Sequence, residues 1–261
     1  VATGHRVLWV PEGRSAASGE RAEEAGLTRC EGLGEALGVS DIVLSVCPPH
    51  ASEQVADAVA GHGFTGIYVE ANAISPERMQ RIAGRMPTSC TVLDGMLSGP
   101  PPQGTRTVRL YLAGDAGARE AVEAVFADTR VLTRATGGGI GSASALKLAI
   151  SSYQKVSRAL AGVAHALAAD HGVGDLLLAE AGSMNKDILD DPGYLPSVAA
   201  RAWRWGPEMT EVADTLRAAG LPAELAEAAA VVYSRWDQHK DQSPTLDTVL
   251  HTLHQKPKES A

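Results

Sequence analysis

Aromatic residues are scarce in this chain, at 4% of 261 residues with only two phenylalanines. That scarcity excludes a core built on large rings, and the 27 glycines and abundant alanine favour close helix–sheet packing. Cysteine is scarce as well. Cys30, Cys47 and Cys90 are odd in number and lack metal-ligand spacing, so they read as buried thiols in a reducing, cytoplasmic setting. The eight histidines are scattered, with no HExxH and no His/Cys cluster, and a metal site is not expected. No run of roughly 18 apolar residues occurs, so no membrane span is expected. The opening VATGHRVLWV lacks the charged stretch, apolar stretch and cleavage site of a signal peptide. Excess positive charge is also missing. With 23 basic against 31 acidic residues the net charge is −8, which argues against nonspecific nucleic-acid or anionic-membrane partners.

What is present is a change of pattern partway along the chain. Arg6–Val10, Asp41–Cys47, Gly66–Val69, Thr91–Leu97 and Val108–Ala113 are short, nearly continuous apolar runs, suited to strands covered on both faces. Ala16–Ala25, Ala51–Ala60 and Pro76–Gly84 between them read as helices, the last with Ser75 as N-cap and Pro76 at the first position. Strand and helix in alternation predict βαβ units and a Rossmann-like, doubly wound α/β sheet. After Gly138 the pattern becomes helical throughout. A proline-free stretch from about Gly141 to Ala169 predicts one long interdomain helix, with Leu146, Ile150, Tyr153, Leu160, Ala164 and Leu167 in a stripe. The expected domains are therefore 1–138, a dinucleotide-binding sheet domain, and 139–261, an all-α substrate and dimerisation domain. The tail HQKPKESA reads as disordered.

Gly4 followed by the apolar run from Arg6 reads as the end of a first helix leading into a second strand. The strand, Gly-x-Gly turn and helix that open such a unit are not in the sequence, and an upstream segment is expected to carry them.

Ligands of open α/β sheets bind beyond the carboxyl ends of strands, so the residues there carry the chemical reading. Glu12, Arg14 and Ser15 follow the first apolar run. Glutamate there suits the ribose hydroxyls of NAD, whereas arginine with a hydroxyl neighbour suits the 2′-phosphate of NADP. NADP binding through Arg14 and Ser15 is the expectation, with NAD as the alternative and an ordinary solvated turn as the bland reading. Val46, Cys47 and Pro48 end the next run and are expected to line the cofactor. Cys47 and His50 do not read as nucleophile and base, because no third orienting group accompanies them. Asn72 can donate and accept, and is a candidate for the nicotinamide end; an Asx turn into the next helix explains it equally well.

Two further segments carry the catalytic reading. In Asp94-Gly95-Met96-Leu97-Ser98-Gly99 a strand ends in a hydroxyl and a glycine, where Ser98 and backbone N–H groups can bind a carboxylate or carbonyl oxygen. In Gly138-Gly139-Ile140-Gly141-Ser142-Ala143-Ser144-Ala145-Leu146-Lys147 a glycine-rich turn opens the long helix. A lysine near a helix N-terminus and among apolar neighbours is electrostatically disfavoured, which marks Lys147 as a candidate acid–base group. Ser151 lies one turn later on the same face.

These two segments resemble the substrate motif D-x-P-V-S-G-G and the catalytic motif G-x-G-x-x-x-K-x-x-x-N of the 6-phosphogluconate/β-hydroxyacid dehydrogenase superfamily. With the order of strands and the long helix, the resemblance extends over essentially the whole chain. It implies an NAD(P)-dependent oxidoreductase that moves hydride between nicotinamide and a small polar alcohol or carbonyl compound. Ser98, Gly99 and Ser151 would bind substrate, and Lys147 would transfer the proton. Two positions depart from the motifs: Ala143 stands for the second glycine and Ser151 for the asparagine. Arg201-Ala202-Trp203-Arg204-Trp205 resembles an actinobacterial-type branch, and imine reductases share the architecture. Imine or enamine reduction and cofactor binding without turnover are accordingly the alternatives. The length of the long helix predicts a homodimer.

Overall fold

The computed structural model describes residues 4–102, 104–184, 192–218 and 220–254. Two compact units divide the chain, Val1–Ser152 and Tyr153–Ala261. The expected disordered tail falls almost entirely outside the described residues, at 255–261.

The first unit is the α/β part. β1 (Leu8–Trp9) pairs in parallel with β2 (Thr28–Arg29), and α1 (Ala16–Glu24) connects them. After α2 (Leu33–Gly38) come β3 (Ile42–Ser45), α3 (Ser52–Gly61), β4 (Ile67–Glu70), α4 (Pro76–Arg85) and β5 (Thr91–Ser98). β6 (Val108–Gly114), α5 (Ala116–Phe126) and β7 (Val131–Ala135) follow. The five strands β3 to β7 form one sheet in chain order. β3, β4 and β5 run parallel, with Ser45 opposite Glu70 and Glu70 opposite Asp94. β6 runs antiparallel to β5, because the short loop between Ser98 and Val108 leaves no room for a crossover helix.

Helices cover both faces, as the continuous apolar runs require. α3 and α4 bury Ala56, Val59, Met79 and Ile82 against Tyr68 on one face. α5 buries Ala118 and Val122 against Val69, Leu93, Leu110 and Leu112 on the other. The first face also receives the start of α6 (Ser142–Asp170), where Ala143, Leu146 and Ile150 pack on Met96, Tyr111 and Ala113.

The second unit is helical: the remainder of α6, then α7 (Gly174–Ala181), α8 (Leu195–Ala218), α9 (Glu224–Ser234) and α10 (Leu246–Thr252). Ala213, Leu216, Ala223 and Ala226 form a core with Leu167 of the long helix. Val198, Ala202, Trp236 and Val249 form a second, tied by the Trp236 indole donating to the Val249 carbonyl at 3.0 Å. Of the stripe expected along α6, Leu146, Ile150 and Leu167 pack inward and Tyr153 is 41% exposed. The side chains of Leu160 and Ala164 lie outside the described ones.

Candidate active site at the strand ends

At the carboxyl ends of β3 and β4, Asn72 ties the two strands together. Its Oδ1 accepts from the Cys47 amide at 2.6 Å. Its Nδ2 donates to Ser45 Oγ at 3.1 Å, to Cys47 Sγ at 3.3 Å and to Glu70 Oε1. Glu70, 1% exposed, also accepts from the Tyr68 hydroxyl at 2.9 Å and the Asn72 amide at 3.2 Å. Burial pushes the Glu70 carboxyl above the usual carboxylate range, against the bonds from Tyr68 and Asn72 that favour its ionised form. Burial, then the neighbouring carboxylate, pushes the Tyr68 phenol upward too.

The sequence-expected cofactor residues thus divide. Cys47 and Asn72 meet inside this network, with both Asn72 amide atoms engaged by the protein. Val46 is exposed, as are Pro48 and His50, where the chain enters a short 3-10 turn at Pro49–Ala51.

A second buried carboxylate sits one strand away. Asp94 is fully buried and docks the start of α6 onto β5. Its Oδ2 accepts from the amides of Gly141 and Ala143 at 2.9 Å each and of Ser144 at 3.1 Å. Its Oδ1 accepts from the Ser144 amide at 3.1 Å and hydroxyl at 2.6 Å. The first turn of a helix leaves amides without intrahelical partners and carries partial positive charge, so a carboxylate answers both needs. Gly141 meets this geometry with φ +105°, and a Cβ there would lie 3.2 Å from Pro76 Cβ. The family motif's second glycine is Ala143 here, and its amide serves Asp94 without a positive φ.

Lys147 lies in the second turn of that helix and is half-buried. Its Nζ donates to the Leu97 carbonyl at 2.7 Å, which brings it beside Ser98. Ser98 is half-buried as the last residue of β5, opposite Arg109. Gly99 follows at φ +119°, where a Cβ would approach the Thr107 carbonyl to 3.3 Å. Ser151, half-buried, stands one turn beyond Lys147. Lys147, Ser98 and Gly99, separated by about fifty positions in sequence, are therefore neighbours in the fold.

Arg14 and Ser15 lie at the carboxyl end of β1, both exposed. Ser15 caps α1, accepting from the Ser18 amide at 3.3 Å, and its hydroxyl lies 3.1 Å from that of Ser18. The Arg21 guanidinium donates to Ser18 Oγ at 2.9 Å. The sequence reading missed Arg21, although spacing by three from Ser15 through Ser18 to Arg21 puts all three on one face. It also passed over Glu70 and the anchoring role of Asp94. Both are carboxylates inside apolar strands, and a buried charge must find partners.

Over residues 168–236 the chain matches the family model "Domain of unknown function (DUF1932)". No curated protein matches it. Among solved structures it is similar to conserved protein MTH1747, whose described similarity is with 3-hydroxyacid dehydrogenases, at 25% identity over 93% of this chain and 92% of that one, TM-score 0.55. It is also similar to a reductive aminase from Aspergillus terreus in complex with NADPH and ethyl levulinate, at 18% identity over 95% and 90%, TM-score 0.72. An imine reductase from Bacillus cereus BAG3X2 aligns at 17% identity over 97% and 92%, TM-score 0.68. The chain thus shares its fold with this 3-hydroxyacid dehydrogenase-like protein, the reductive aminase and the imine reductase, and its family match is confined to residues 168–236.

Proposed function

We propose that the chain is an NADP-dependent oxidoreductase, NAD being the alternative cofactor, acting on a small polar carbonyl or alcohol compound with Lys147 as its proton-transfer residue. The observation that carries the reading is the position of the Lys147 ammonium, held 2.7 Å from the Leu97 carbonyl beside Ser98 and Gly99 at the edge where open sheets bind ligands.

The residues present suit a phosphorylated dinucleotide. Arg14, Ser15 and Ser18 lie at the start of α1, whose first turn has no acidic residue, and Arg21 reaches back from its last turn to Ser18 Oγ, so guanidinium and hydroxyl donors are at hand. They would hold the 2′-phosphate, and the exposed Val46 and Pro48 would line the cofactor. The bound nicotinamide would supply or accept the hydride. Lys147 moves the proton: in the reductive direction its Nζ gives a proton to the substrate oxygen, and in the oxidative direction it takes one back. The Ser98 hydroxyl and the backbone at Gly99 orient that oxygen, and Ser151 borders the same space. We place the functional division at residues 138/139, and infer a homodimer built around α6, where Tyr153 offers an exposed ring.

Imine or enamine reduction is the second reading. Serine at position 151 in place of the family's asparagine favours it, as does the likeness to a reductive aminase and an imine reductase. Fluorescence titration of the full-length protein with NADPH and NADH, followed by turnover assays on hydroxyacids, ketones and cyclic imines, separates these readings. Binding of neither cofactor would overturn both. Binding without turnover on any of the substrate classes would leave a cofactor-binding protein.

A further inference from the structure

We infer that Asp94 is a positioning residue for Lys147, acting through the first turn of α6. The inference rests on the proposed role of Lys147 only in what the positioning is for; the mechanical coupling stands on geometry alone. One carboxylate, without exposure to water, collects four amide contacts and a hydroxyl contact from Gly141, Ala143 and Ser144. Three residues later on the same helix, the Lys147 Nζ reaches the carbonyl of Leu97, three residues beyond Asp94 on β5. Helix and strand are thus pinned at two points, and both pins use the same two elements. Asp94, Met96 and Ser98 alternate onto one face of β5, the face on which α6 packs. The strand that presents Ser98 therefore also fixes the register of the helix that presents Lys147.

The arrangement has two consequences. The free amides at the start of α6 are taken by Asp94, so this helix end does not serve as a receptor for a ligand anion. The carboxylate also offsets the positive helix end that a nearby lysine would otherwise meet, which lets a cation sit in the second turn.

The test follows reactivity at Lys147 rather than overall fold. Asp94→Asn keeps the shape but removes the charge and opposes an amide NH2 to amide donors. Ser144→Ala removes only the hydroxyl contact and leaves the fold intact. In each variant the rate of Lys147 acetylation by an N-hydroxysuccinimide ester is measured by peptide mass spectrometry, with Lys240 as the internal reference. Amide exchange of residues 141–147 is followed in the same samples. Ser144→Ala is expected to raise Lys147 labelling and local exchange several-fold, and Asp94→Asn by about tenfold or more, as loss of a charge-assisted contact implies, with exchange in α3 and α4 unchanged. Unchanged labelling in Ser144→Ala and a uniform rise at all lysines in Asp94→Asn would overturn the inference, since Asp94 would then serve only general stability. Where turnover is found, Ser144→Ala should lower kcat while leaving KM for the cofactor in place. If Lys147 proves dispensable for turnover, the proposed function fails while the labelling result still decides the positioning role.

Discussion

Glu70 and Asp94 stand opposite each other in register on adjacent parallel strands, both buried, both on the face that the helices of that side cover. Their partners differ in kind. Asp94 is served by backbone amides of a helix start, donors with fixed positions that cannot rotate away. Glu70 is served mainly by side chains, the Tyr68 hydroxyl and the Asn72 amide, beside the one backbone contact from Asn72. Burial shifts Glu70 upward despite those bonds. The difference teaches what each half of the strand edge is built for. The β5–α6 half joins two distant segments and presents a cation. The β3–β4 half knits two neighbouring strand ends into a closed polar cluster, beside which Val46, Pro48 and His50 are exposed.

The largest expected effect breaks the first half. Lys147→Met preserves side-chain length and helix propensity while removing the titrating nitrogen. Turnover on the true substrate should fall by about 10²–10⁴-fold with cofactor binding retained. Full activity in steady-state assays would reduce Lys147 to a helix-to-strand tether, and the comparison would lose its chemical half.

Arg14→Ala addresses the cofactor side at the start of α1. NADPH affinity should fall by about 1.5–3 kcal/mol while NADH affinity stays level, because only the 2′-phosphate loses a charge-assisted contact. Equal losses for both cofactors in a fluorescence titration would show that Arg14 does not read that phosphate. The additional weakening caused by Arg21→Ala tests whether the Ser15–Ser18–Arg21 face acts as one receptor.

The contrast between the halves also marks what the sequence could and could not tell. That Ser98, Gly99 and Lys147 come together in the fold was legible because their motifs combine a strand end, a glycine turn and a cation near a helix start, each with a physical meaning on its own. The long α6 was legible from its lack of proline, and the structure starts it within one residue of the expected Gly141. The short β2 and α2 were not, since two strand residues or six helical ones carry little periodicity. β7 escaped for another reason. It is an edge strand, exposed at Leu132 and Arg134, so no apolar run announces it. α5 was hidden by its own Arg119, Glu120 and Glu123, although Asp115 caps it and Val122 buries its other face. Asn72 was recognised as a residue that both donates and accepts, yet its partners Ser45, Cys47 and Glu70 come from strand pairing that no local pattern specifies.

Asn72→Ala sharpens the comparison through stability. It strips the Cys47 amide of its acceptor and Glu70 of its side-chain donor from Asn72, leaving the backbone contact in place, so it should cost about 1–3 kcal/mol in denaturant unfolding. Lys147 labelling should stay at its wild-type rate, because the loss is confined to the β3–β4 half. A matching rise at Lys147 would mean that the two halves are one cooperative structure.

The smallest effect expected is a change in how stability depends on pH. A carboxyl raised in the folded state binds its proton more tightly there than in the unfolded chain, so ionisation works against folding. Its contribution is complete below the ordinary value of 4.5 and is lost as pH rises through the higher folded value. Glu70→Gln removes this titration with little change of shape. Its Oε1 still accepts from Asn72, and its Nε2 can donate to the Tyr68 oxygen in place of the bond that Tyr68 now gives. The melting temperature of the variant should therefore gain on wild type as pH rises from about 4 to about 8. The opposite trend, with the variant losing ground at higher pH, would mean that Glu70 is stabilised as an anion by Tyr68 and Asn72. The contrast between Glu70 and Asp94 would then rest only on the source of their donors.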